Sequence, residues 1–231
     1  MIENNRFRSS QPRQAPERYA QYLETMKQTI LTLIFVLTTF LSFGQKEHLE
    51  PAEEFSKYEG ILKEYYDNVF PLLYKGFSEK PIARYTSMSS FSNEYSFSIE
   101  TIEGKNYVVS NRLSKSYWYA ENKKKVKLIS SKVELTNELY LKIADLFKIL
   151  TEQTKKPEDE SMGLDGTTYY FATTEKNGQI KIGETWSPNE NSLLDRLVKI
   201  CDDVYSLGTG ESISQTETLK NIEKLIIDLK K

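Results

Sequence analysis

Apolar residues along this chain repeat with two different periods. Phe55, Tyr58, Leu62, Tyr65, Val69 and Leu72 recur at three- and four-residue steps, which predicts a helix over residues 50–75. Pro51 suits its first turn, where no donor is needed, and Pro71 kinks or ends it. From residue 94 the step shortens to two. Tyr95, Phe97 and Ile99 alternate with Ser and Glu, Gly104 opens a turn, and Tyr107 and Val109 return with Val108 on the other face, which predicts a β-hairpin. Tyr117-Trp118-Tyr119 reads as a further strand-like piece, with Trp118 on the face opposite its two neighbours. Residues 121–125 read as a charged turn and Val126–Leu135 as a strand. No element is predicted for residues 76–93.

The longer period returns after Thr136, which can cap a helix carrying Leu139, Ile143, Leu146, Phe147 and Leu150 on its buried stripe. Residues 152–162 form a polar loop. Thr167–Glu175 and Gln179–Trp186 read as strands around Asn177-Gly178, a dipeptide whose members both tolerate positive φ. Ser187-Pro188-Asn189-Glu190 reads as a helix start, with Ser187 as the cap and Gly208 as the end; Leu193, Leu197, Ile200, Cys201 and Val204 face inward. Ser214-Gln215-Thr216-Glu217 is a second capping box, followed by Leu219, Ile222, Leu225, Ile226 and Leu229. Hairpins outnumber crossovers in this order. The predicted class is α+β: an antiparallel sheet built from hairpins, covered by C-terminal helices, with an N-terminal helix.

The N-terminal portion adds an address. Met26-Lys27-Gln28 precedes Thr29–Phe43, an apolar run of 15 residues, and Ser42 and Gly44 occupy the −3 and −1 positions of a cut before Gln45. That is the pattern of a cleavable secretory signal peptide, and the run is short of the roughly 20 residues that span a bilayer. Residues 1–25 are polar and carry Arg6, Arg8, Arg13 and Arg18. Either translation starts at Met26, or those arginines hold the N-terminus in the cytoplasm and residues 29–43 stay as an uncleaved inner-membrane anchor. Both readings export residues 45–231 as a single domain, periplasmic or secreted, touching membrane only through the leader.

Composition limits the chemistry. The chain has 31 basic and 33 acidic side chains, and removal of residues 1–44 leaves 187 residues with a net charge of −4. This balance gives no general nucleic-acid-binding surface. One Cys allows no intramolecular disulfide and no Cys-rich zinc site, and Cys201 on an apolar helix face reads as structural. The lone His48 falls in a start of the mature chain expected to be unstructured, which leaves no imidazole for a Ser-His-Asp triad. No cofactor and no metal is implied. Gly163-Leu164-Asp165-Gly166 is too short for a phosphate loop and reads as a tight turn. The remaining catalytic candidates are Asp165 and Glu184, a carboxylate pair able to hydrolyse a polysaccharide if both reach one cleft. Glu184 interrupts the apolar series Ile180, Ile182, Trp186, so it points inward or sits at a sheet edge. Lys123-Lys124-Lys125 reads as a solvated turn. Tyr117, Trp118, Tyr119, Tyr169 and Trp186 are the ligand-binding candidates, because flat exposed rings stack on sugar faces or grip a protein.

GLDGTTYYF from Gly163, then Thr185-Trp186-Ser187-Pro188, Ser192 and the leucine-rich helix to Leu207 resemble a pattern of uncharacterised exported proteins of Bacteroidota-type bacteria. The Ser-Phe-Gly cut before Gln45 resembles the signal peptides of that group. The resemblance implies export and no known activity, so it assigns no functional residue. The expected function is a binding or interaction domain for a protein or glycan partner. N-terminal sequencing of exported material should read Gln45 first; an intact Met1 in the membrane fraction would establish the anchor instead.

Overall fold

The computed structural model describes residues 26–27, 48–52, 59–156 and 165–231. The chain separates into two units, residues 1–45 and 46–231. Of the first, only Met26 and Lys27 are described, both helical, so the signal-peptide reading lies outside the described residues.

The second unit is built on a seven-stranded antiparallel sheet in the order β1-β7-β6-β2-β3-β4-β5. The strands are β1 (Glu50–Pro51), β2 (Arg84–Ser89), β3 (Tyr95–Ile102), β4 (Lys105–Leu113), β5 (Leu128–Glu134), β6 (Thr167–Thr174) and β7 (Ile180–Trp186). Among the described residues four helices accompany them: α1 (Gly60–Leu73), α2 (Asn137–Glu152), α3 (Leu193–Thr209) and α4 (Gln215–Leu229). The α+β class and the C-terminal helical cover are as expected.

Register divides the side chains cleanly between two faces. One row across the sheet reads Gly183, Phe171, Tyr85, Phe97, Ser110 and Ser131; its neighbour on the opposite face reads Glu184, Tyr170, Thr86, Ser96, Asn111 and Ser130. The first face is apolar at its centre. α2 lies over β6 and β7, and α3 over β4 and β5, with Leu139, Ile143, Leu146, Phe147, Leu197, Cys201 and Val204 buried against it. α4 sits on α2 and α3, burying Ile222, Leu225 and Ile226. The second face is polar at its centre and carries a smaller apolar cluster under α1: Val69, Phe70, Leu73, Met88, Leu113, Ala120, Val126 and Tyr170.

Several expectations need correction. A strand at Arg84–Ser89 is not expected, because Arg-Tyr-Thr-Ser-Met-Ser shows too few apolar residues for a central strand; Arg84 and Thr86 occupy the second face with Met88, and Ser87 lies on the first with Tyr85. Pro51 belongs to β1, where it pairs with Gly183, and α1 begins only at Gly60. Pro71 is accommodated two residues before the end of α1. His48 is half-buried beside the fully buried Leu49, so this stretch is part of the fold. Residues 117–119 form a turn, not a strand. In the β6–β7 connection only Gly178 has positive φ; Gly178 N donates to the Glu175 carbonyl, which makes a turn with a glycine bulge rather than a two-residue loop. The two-residue turn with both φ positive is Glu103-Gly104, between β3 and β4.

The cap of α3 is Ser192, whose Oγ accepts from Asp195 N at 3.0 Å; Ser187 Oγ instead accepts from Thr167 N at 2.9 Å and ties β6 to β7. Its C-terminal glycine is Gly210, at φ 89°, because α3 continues through Gly208. Gly208 is needed for close approach: a Cβ there would lie 2.1 Å from Ser110 Oγ on β4. Thr136 and Ser214 cap α2 and α4 as expected.

Gly208→Ala should therefore cost about 1–3 kcal/mol, the usual penalty of overpacking, read from a urea midpoint. Gly208→Ala with Ser110→Ala should recover part of it, because loss of the hydroxyl leaves the next contact at 3.1 Å.

Candidate functional site

The loop between β4 and β5 is held at both ends and from beneath. At its base Ser114 N donates to the Lys127 carbonyl at 2.8 Å, and Lys127 N donates to Ser114 Oγ at 3.0 Å. Ala120 and Val126 are buried in the second-face cluster and pin the middle. Asn122 Oδ1 accepts from Lys124 N at 3.1 Å and caps the 3₁₀ turn Lys123–Lys125. Lys123 Nζ donates to the carbonyls of Tyr117 and Trp118 and stands 5.2 Å from the Tyr117 ring centre.

The anchor beneath is Glu94, which is 0 % exposed. Its carboxylate accepts from Tyr65 Oη on α1 at 2.6 Å and from Tyr117 N at 3.0 and 3.1 Å. A carboxylate buried without a cation depends on donated hydrogen bonds to offset its desolvation. Burial, with Glu94 as acceptor, pushes the Tyr65 hydroxyl well above its ordinary pKa, so it stays protonated as the donor. Tyr65 then meets Trp118 edge-on, ring centres 5.2 Å apart, and packs against Tyr117 at 6.1 Å. Above this support Trp118 is 42 % and Tyr119 61 % exposed. The loop therefore presents two aromatic side chains on a backbone that little can move.

The other aromatic candidates go elsewhere. Tyr169 points to the first face and stacks on Tyr85, ring centres 5.9 Å apart. Trp186 faces the same side as Glu94 and is 46 % exposed, but its indole lies over Gly166. Strands β6 and β2 separate Trp186 from the Glu94 end of the sheet, about 14 Å at the usual strand spacing. The five candidates thus do not form one groove; Tyr117, Trp118 and Tyr119 share one loop, with Tyr65 and Glu94 as supports the sequence did not reveal. A clue existed in Glu94, an acid placed directly before an alternating strand.

Asp165 and Glu184 are not brought together. Glu184 pairs across the ladder with Tyr170, inside β6, whereas Asp165 lies in a bend before that strand begins at Thr167. Asp165 is exposed, whereas Glu184 is half-buried; burial raises the pKa of Tyr66, a hydrogen bond with Tyr170 pulls it down, and the Glu184 charge adds to the rise. Glycosidic carboxylate pairs stand about 5–9.5 Å apart.

A second, half-buried acid packs against the first face. Asp202 on α3 accepts at Oδ1 from Tyr85 Oη at 2.9 Å and Tyr95 Oη at 2.6 Å. Burial raises its pKa, the two hydroxyls pull it down, and neighbouring Asp203 adds to the rise. Cys201, the free thiol beside it, is fully buried and its pKa is pushed up by that burial, which agrees with a structural role. Among the described residues no group of His, Cys, Asp and Glu is arranged to hold a metal ion, and no helix is long and apolar enough to cross a membrane.

Compared with known proteins, the chain matches no family model, no curated protein and no solved structure.

Because the folded state holds the Asp202 proton more tightly than the unfolded chain, this group favours folding most at low pH. Its contribution declines as pH rises from about 4, the unfolded pKa, through the higher folded value. Asp202→Asn keeps an acceptor for both tyrosines and does not ionise. Urea unfolding across pH 4 to 7 should show Asp202→Asn gaining stability relative to the parent as pH rises; a constant difference would contradict the assignment.

Proposed function

We propose that the chain is an exported binding domain that holds a glycan on the Trp118–Tyr119 platform. The single observation that supports this reading is the pairing of two exposed rings with a buried carboxylate that immobilises the loop carrying them. A fixed aromatic surface loses little conformational entropy on binding, and pyranose faces stack on such rings. The residues around the rings favour a glycan over a protein partner. Protein-binding patches have an apolar centre, whereas Lys115, Glu121, Asn122 and Lys124 surround these rings and are all exposed. Export rests on the leader pattern of residues 26–44. The hydrolase reading is less favoured, because Glu184 sits within β7 while Asp165 is an exposed residue in the bend before β6.

The test uses intrinsic fluorescence. The chain has two tryptophans, so Trp186→Phe leaves Trp118 as the reporter. Titration with soluble polysaccharides should then shift the Trp118 emission. Trp118→Ala and Tyr119→Ala should each weaken binding by roughly tenfold or more, as for hot-spot aromatics, without changing the melting temperature. Glu94→Ala should weaken it too, with both rings still present, because Glu94 acts as a positioning residue. Unaltered binding in Trp118→Ala would reject the platform.

A further inference from the structure

The loop from Ser114 to Lys127 carries Lys115, Lys123, Lys124, Lys125 and Lys127 against the single acid Glu121. That is a formal charge of +4 on 14 residues of a chain whose total is −2. All five lysines are exposed. Elsewhere in the fold lysines find carboxylates: Lys63 with Asp67 at 2.7 Å, Lys181 with Glu175 at 2.8 Å, Lys199 with Asp195 at 2.8 Å. Among the described residues no carboxylate comes within ion-pair distance of any of the five loop lysines. Lys123 is used internally, on the carbonyls of Tyr117 and Trp118. The other four carry their charge on the same loop as the two exposed rings, with no described carboxylate within ion-pair distance.

Resting on the platform reading above, we propose that this loop recognises an acidic glycan, a polysaccharide bearing carboxylate or sulfate groups. The rings take the sugar faces and the lysines take the anions. Like charges crowded onto one short loop repel each other, and the loop stays intact because Glu94, Ala120 and Val126 hold it from below. An anionic chain relieves that repulsion on binding. The cations are lysines without an arginine, and the ammonium is a compact, hydrated point charge that suits anions spaced along a flexible solvated polymer, whereas bidentate phosphate recognition calls for arginine. This favours an acidic polysaccharide over a single-stranded nucleic acid, the other polymer with rings and anions.

The experiment measures binding of the full chain carrying Trp186→Phe to four probes: polygalacturonate, dextran sulfate, a neutral glucan of similar length, and single-stranded DNA of matched charge. The expected result is binding to one or both acidic glycans at least tenfold tighter than to the neutral glucan or the DNA. That binding should weaken several-fold or more between about 0.05 M and about 0.5 M NaCl, as exposed charges are screened. Polygalacturonate and dextran sulfate separate carboxylate from sulfate as the recognised group. Lys115→Gln with Lys124→Gln and Lys125→Gln should lower the affinity at least tenfold and leave the melting temperature unchanged. Equal affinity for the neutral glucan, with Trp118→Ala still damaging, would overturn the acidic specificity and keep the platform. Tighter binding to the DNA would overturn the glycan. No binding to any probe, or binding indifferent to both sets of substitutions, would overturn this inference and the platform together.

Discussion

The structure depends on the burial of Tyr85 in the middle of the sheet. Its strand, β2, shares no tight turn with β6 and lies between two hairpins, β3–β4 and β6–β7. Joining them means pairing Tyr85 with Phe171, residues far apart in sequence, and closing such a loop has an entropic cost. The offset is aromatic. The Tyr85 ring lies between 5.3 and 6.1 Å from those of Tyr95, Phe97, Tyr169 and Phe171, and Phe147 of α2 closes on Phe97 and Phe171 from above. Rings at these spacings combine large apolar burial with favourable edge-to-face contacts. The Tyr85 hydroxyl, which would otherwise be buried unpaired, donates to Asp202 and so fixes α3 to the same point.

The two faces of the sheet solve different problems. On the first, three helices bury a continuous apolar core. On the second, the central rows are polar and most of their groups are paired locally, although Arg84 Nε and Asn111 Oδ1 are buried without a partner. Thr86 Oγ1 lies 3.0 Å from Ser96 Oγ and from Tyr74 Oη, and Asn111 donates to the last carbonyls around α1, at Leu73 and Lys75. Arg84 lies over the Tyr74 ring at 4.4 Å and donates to the Ser78 carbonyl, while Glu100 accepts from Ser78 N and Ser98 Oγ. Such a network gives α1 one seating through hydrogen-bond geometry, where an apolar face would accept several.

The candidate site is a product of that second face. Glu94 extends the row that contains Met88 and Leu113, so its carboxylate arrives beneath the loop after β4 and takes Tyr65 from the seated helix. Seating of α1 and the posture of Trp118 and Tyr119 are therefore linked through one hydrogen-bonded acid.

What the sequence by itself determined lies in local patterns. The stripes of α2, α3 and α4, the alternation of β3 and β7, and the capping hydroxyls of Thr136 and Ser214 all depend on neighbours within a few residues. The class of the fold was legible for that reason, whereas the exposure of the rings at 118 and 119 was not, because the strand expected over 117–119 is a turn. Register decided the rest. β2 becomes central only because Tyr85 faces the aromatic core while Arg84 and Thr86 find polar partners behind it. Asp165 and Glu184 both flank the same predicted hairpin, yet Glu184 lies within β7 opposite Tyr170 while Asp165 sits in a bend before β6. Glu94 and Tyr65 are 29 residues apart and meet only when α1 docks on the sheet, because a buried carboxylate can choose its donors only after the water around it has been removed.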